Sequence, residues 1–220
     1  MVPSFPELAA RLAGVGRHAH TRGWALGTSG NFSAVVGTDP LRLAITASGL
    51  DKGRLLPEQI LEVDGNGELV RGSGQPSAET LLHLAVVRAR GAGAVLHTHS
   101  LWGTLLSEAH AAAGGLALEG YEMLKGLSGV TTHEHREWLP IVENSQEWTR
   151  EAEAVAARLR SRPELHGFLI RRHGLYTWGK DLDEASRHLE VLEFLLEVVG
   201  RGQGEGLRSR PREEETPWPR

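Results

Sequence analysis

The chain has 220 residues, enough for one domain around a single sizeable core, and its 40% hydrophobic and 24% charged residues exclude wholesale disorder. A net charge of −4, with arginine and glutamate intermixed, speaks against a nucleic-acid binder. With no cysteine there can be no disulfide framework and no thiolate metal site, so any metal must be held by His, Asp or Glu.

No apolar segment approaches the ~18–20 residues of a bilayer span. The first residues, Met1-Val2-Pro3-Ser4-Phe5-Pro6-Glu7, lack the basic region and apolar core of a signal peptide, so the expected location is the cytoplasm. Leu8, Leu12, Val15 and Ala19 recur at helical spacing, which predicts a helix over Pro6–Arg22, stopped by Gly23. A polar, glycine-rich turn, Gly27-Thr28-Ser29-Gly30-Asn31, then feeds a strand over Phe32–Val36. A second strand, Leu41–Ala47, ends in Ser48-Gly49. A short helix at Pro57–Ile60 and a hairpin through Asp64-Gly65-Asn66-Gly67 follow. After a loop at 72–76, Ser77 is expected to cap a strong helix running to Arg90.

An apolar strand then ends in His97-Thr98-His99-Ser100, and a helix covers Leu101–Ala109. Alternation on a strand puts His97 and His99 on one face, from which two imidazoles can converge on one ion. The stretch 116–140 carries no clear period. Ile141–Asn144 reads as a strand and Glu147–Arg160 as an amphipathic helix. The segment 168–179 repeats the earlier design of an apolar strand, a histidine (His173) and a glycine turn into another strand. A last helix, Leu182–Val199, precedes a Gly-, Pro-, Arg- and Glu-rich stretch from Gln203 that reads as a mobile tail. More than six short strands among about six helices, joined by hairpins, predict a three-layer α/β domain over 1–202. Its mostly antiparallel or mixed sheet is flanked by helices.

Three neutral imidazoles, from His97, His99 and His173, would leave a divalent ion with open positions, the arrangement of a catalytic zinc; capping a hairpin is the plainer role for His173. Three loops, at Ser29-Gly30-Asn31, Ser48-Gly49 and Pro76-Ser77, offer backbone N–H groups and small polar side chains. They are ordinary turns one by one, and together a phosphate cradle that uses no lysine. Glu79 either complements a helix dipole or serves as an acid/base or fourth ligand. Glu122 is either paired with Lys125 or placed for proton transfer. His83 reads as a core or surface residue, and His133 and His135 read as surface residues.

Taken in order, Gly27-Thr28-Ser29-Gly30-Asn31-Phe32-Ser33, Ile45-Thr46-Ala47-Ser48-Gly49, Pro76-Ser77-Ala78-Glu79, His97-Thr98-His99-Ser100 and His173-Gly174 resemble the class II aldolase/adducin family over roughly residues 7–200. The resemblance implies zinc on His97, His99 and His173, one ion per subunit. It implies phosphate held by Asn31, Ser48, Gly49 and Ser77, and Glu79 as acid/base. It also implies a homotetramer with active sites between subunits. Glu122-Met123-Leu124-Lys125-Gly126, 140–145 and 171–179 are similar to the family's sugar-phosphate dehydratases, in which Glu122, from an adjacent subunit, would move the proton. The same intermediate chemistry serves the family's aldolases and epimerases, and its adducin-like members are scaffolds, so those readings stay open.

Overall fold

Period-two alternation of apolar side chains builds the centre of the molecule. The computed structural model describes residues 3–204. Its strands are β1 (Asn31–Thr38), β2 (Leu41–Thr46), β3 (Ile60–Asp64), β4 (Leu69–Arg71), β5 (Ala94–Thr98), β6 (Gly115–Glu119), β7 (Arg136–Val142), β8 (Gly167–Ile170) and β9 (Gly174–Gly179). They form one mixed sheet in the order β4-β3-β2-β1-β5-β9-β8-β7-β6. Every neighbouring pair is antiparallel except β7–β8.

Five α-helices cover the sheet: α1 (Phe5–Thr21), α2 (Thr80–Arg90), α3 (Leu101–Ala109), α4 (Trp148–Ser161) and α5 (Leu182–Gly204). Side chains of alternate strand residues face opposite layers. Ala44 in β2, Leu96 in β5 and Leu169 in β8 join a core with α1, α3 and α5. Ile45, Val95 and Phe168, each one residue away, join a second core with α2 and α4. The expected three-layer arrangement is therefore present, with five helices among the described residues rather than about six. No described helix is long and apolar enough to cross a membrane.

Most elements lie within a residue or two of the sequence expectation. The exceptions have physical reasons. Helix α2 starts at Thr80, and its N-cap position is Glu79, not Ser77. The Ser77 hydroxyl instead accepts from the Glu79 N–H (3.2 Å), a local turn that competes with helix. The unread stretch holds β6 and most of β7, whereas the expected strand at 141–144 covers only the end of β7. Pro140 in β7 and Gly115 opposite it are both poor strand formers. Here Gly115 is required, because a Cβ would stand 2.3 Å from the Trp138 ring that crosses it. Helix α5 continues to Gly204, and the tail from residue 205 lies outside the described residues.

Candidate metal and phosphate site

The centre of the site is the end of β5. His97 is fully buried there, with its Nδ1 2.9 Å from the Leu175 carbonyl of the paired strand β9. That acceptor fixes the tautomer, so Nδ1 carries the proton and Nε2 presents a lone pair. His99 follows in the loop, its backbone N–H donating to the Trp24 carbonyl (2.8 Å). His173 sits in the turn between β8 and β9, which α3 holds from the side. Thr104 Oγ1 donates to the His173 carbonyl (3.1 Å), and the Arg172 N–H donates to Ser107 Oγ (3.0 Å). Arg172 there adopts a left-handed φ of 54°. The next residue but one has to be glycine, because a Cβ on Gly174 would stand 1.8 Å from the Thr98 carbonyl oxygen.

The three Nε2 atoms converge. They are 2.8 Å (His97–His99), 2.9 Å (His99–His173) and 3.3 Å (His97–His173) apart. Glu79 closes the group, with Oε2 3.4 Å from His97 Nε2 and Oε1 3.6 Å from His173 Nε2. Burial pushes the basicity of all three imidazoles down. His97 falls well below its ordinary value, with His173 adding to the effect. His99 falls to about 3 by burial and by its two histidine neighbours. His173 falls by burial, partly offset by Glu79. Neutral rings are the metal-ligating form.

These residues fit a divalent ion. A cation between the rings would engage all three Nε2 atoms at once. Glu79 Oε1 is buried and makes no hydrogen bond. A buried carboxylate oxygen without a partner costs about 1–3 kcal/mol or more, which an ion or a proton would remove. A tetrahedral zinc with nitrogens at ~2.0–2.1 Å sets them ~3.3–3.4 Å apart, a few tenths wider than most of this triangle. All four ligand atoms lie within 4.8 Å of one another.

A hydrogen-bonded chain positions Glu79. Asn31 Nδ2 donates to Glu79 Oε2 (2.8 Å) and to Ser77 Oγ (3.2 Å). The Asn31 side-chain Oδ1 accepts from His83 Nε2, and His83 Nδ1 accepts from the Ser33 hydroxyl (2.7 Å). His83 is fully buried, and burial holds its pKa down at about 4, so it is a neutral core residue that orients Asn31. Tyr176 stacks on His97 (centroids 4.1 Å, 17° between planes) from beneath. Burial, then the Glu79 carboxylate, drives its phenol far above the ordinary value, so it stays neutral.

A cavity of about 240 Å³ opens beside the imidazoles. Its wall holds Asn31, Ser48, Gly49, Ser77, Glu79, His99 and His173. A bridge between Ala47 and Pro76 and the Ser48 N–H on the Gln75 carbonyl (2.9 Å) draw the second and third loops together. The wall also holds Lys52, which sequence reasoning missed, so the three loops meet around a lysine after all. Between Asp51 and Gly53 it reads like any turn lysine. The one available signal was its place three residues after Gly49.

Glu122 does not line this cavity. It is exposed in the short 3₁₀ turn Glu122–Gly126, 2.5 Å from Lys125 Nζ, which holds its carboxyl below the usual range. His133 is exposed as expected. His135 is only half-buried, because its Nε2 binds Glu137 (2.9 Å), whose carboxylate also pairs with His166 Nδ1 (2.9 Å).

A family model described as Class II Aldolase and Adducin N-terminal domain matches residues 10–199. A methylthioribulose-1-phosphate dehydratase of Sorangium cellulosum is 46% identical over 198 residues, covering 89% of this chain and 92% of that protein. A dehydratase of the same name from Methylococcus capsulatus is 45% identical, covering 91% and 96%. Among solved structures, an L-fuculose-1-phosphate aldolase of Thermus thermophilus superposes with a TM-score of 0.73 at 26% identity, covering 93% and 100%. YgbL of Escherichia coli, a putative aldolase/epimerase/decarboxylase, has the same fold (TM-score 0.74, 24% identity, covering 96% and 95%).

Proposed function

The chain belongs to the class II aldolase and adducin family, and from that membership we propose that it is a lyase removing water from 5-methylthioribulose 1-phosphate in methionine salvage. The product is 2,3-diketo-5-methylthiopentyl 1-phosphate. The unit responsible is one domain over residues 1–202, working in the cytoplasm. The observation that carries the reading is the triangle of three neutral imidazole nitrogens with the unpartnered Glu79 oxygen beside it, at the wall of a polar cavity.

His97, His99 and His173 are the residues for the ion, which we take to be zinc, one per subunit. Bound there, it would supply a Lewis acid for the negative charge that develops on the substrate oxygens. The wall of Asn31, Ser48, Gly49 and Ser77 takes the phosphate end. The chemistry needs a proton removed from C3 and the C4 hydroxyl expelled as water, after which the enol tautomerises to the diketone. Glu79 is the carboxylate that this chain itself brings beside the imidazoles, and Asn31 holds its Oε2 so that Oε1 is left to exchange a proton. Glu122 joins the reaction only from a second copy, in a homotetramer whose sites lie between subunits. There it would move the proton and help the C4 hydroxyl leave as water.

The test is direct. Zinc-loaded protein given methylthioribulose 1-phosphate should yield a diketone absorbing in the near ultraviolet. Dihydroxyacetone phosphate with an aldehyde would instead make it an aldolase. A protein that takes up no stoichiometric divalent metal would be a scaffold.

A further inference from the structure

We propose that Lys52 is the cationic anchor for the substrate's phosphate. Its buried ammonium lines the cavity beside Ser48 and Gly49 and pairs with no carboxylate among the described residues. The proposal rests on a phosphorylated substrate, as put forward above, and adds the residue that supplies the charge.

Lys52 is 1% exposed, which is rare for a lysine without a partner. An ammonium has three donors. Two are spent, on the Leu50 carbonyl (2.8 Å) and the Thr28 carbonyl (3.1 Å). Both acceptors are neutral, so the charge itself is left uncompensated. The neighbouring carboxylate, Asp51, offsets it only in part and makes no ion pair with it. Asp51 accepts from the Gly53 N–H (2.9 Å) and lies 3.6 Å from His20 and 3.9 Å from Arg54. The other charged or titratable groups on this wall are Glu79, His99 and His173, which the ion would claim.

Burying a charge without a counter-ion is costly, and here burial pulls the lysine down to about 8 despite the opposing pull of Asp51. A phosphate entering beside Ser48 and Gly49 would provide the missing negative charge and accept the third N–H. Thr28 adjoins Ser29-Gly30-Asn31 and Leu50 follows Ser48-Gly49, so the two carbonyls come from the first two loops. Their carbonyls therefore aim the ammonium, and the same contacts make Lys52 a tie between the loops.

The test separates anchor from tie. Glycerol phosphate is titrated calorimetrically into metal-loaded enzyme. Lys52→Gln, which can still donate to one carbonyl, should bind it about 10–100-fold more weakly, with metal content unchanged. Equal affinity in the variant, or no binding by the wild type, overturns the proposal. Should that variant fail to fold, Lys52→Met, uncharged and of similar length, takes its place in the same titration, and equal affinity there overturns the proposal. Wild-type protein that makes no diketone yet binds glycerol phosphate through Lys52 would remove the dehydratase reading and leave this one standing.

Discussion

Glu79 serves two neighbours with two oxygens. Oε2 accepts from Asn31, and Oε1 has no hydrogen bond although it is buried. A residue kept in that state is either a ligand or a proton carrier, and glutamine separates the two. Glu79→Gln preserves the shape and the three imidazoles. It should retain near-stoichiometric metal while turnover drops by about 10²–10⁴-fold, the usual worth of a positioned acid/base. Metal analysis with single-turnover kinetics checks it; loss of the metal would make Glu79 chiefly a ligand. At this scale the sequence was legible where spacing is a code. His97 and His99 lie two apart on a strand, and a glycine follows His173. It was silent on Lys52 and on the chain from Ser33 through His83 to Asn31, because such contacts are made across loops and strands far apart in sequence.

Helix α5 reaches the site from behind. Its Glu193 is buried against β5, where Thr98 and Ser100 donate to it, and burial outweighs them, pushing its pKa up to about 7. A carboxyl whose folded pKa is raised favours the fold fully below its unfolded value, near 4.5, and loses that contribution as pH climbs through about 7. Glu193→Gln has no such loss. The variant should therefore gain stability relative to wild type between pH 4.5 and pH 8, by up to roughly 3 kcal/mol, read as a growing gap in urea midpoints. A pH-independent gap would mean the carboxyl ionises freely. Elements were readable wherever one periodicity dominated, as in α1 and the β8–β9 hairpin. They were unreadable at β6 and β7, where Pro140 and Gly115 are poor strand formers and Gly115 is there for the Trp138 ring that crosses it.

Over the whole molecule, apolar surface remains uncovered. Leu101 and Leu105 on α3 and Phe194 on α5 are 63%, 50% and 44% exposed, and α3 is capped by Ser100, the residue after His99. The proposed tetramer would cover that surface and bring Glu122 to a neighbour's cavity. Subunit mixing tests it. Co-refolded Glu79→Gln and Glu122→Gln chains, each inactive alone, should regain about a quarter of wild-type turnover if every site draws one glutamate from each of two copies. No recovery would keep each site within one chain.

The distance along the chain between His97 and His173 has one more consequence. These rings are 76 positions apart, and nothing in an unfolded chain holds them together. A dication gripping both would be a removable cross-link, and its binding energy would be drawn on only by the assembled protein. The melting temperature would then be no fixed property of the polypeptide. It would rise with the free metal supplied, sink in chelator, and have meaning only when quoted with the metal activity of the buffer.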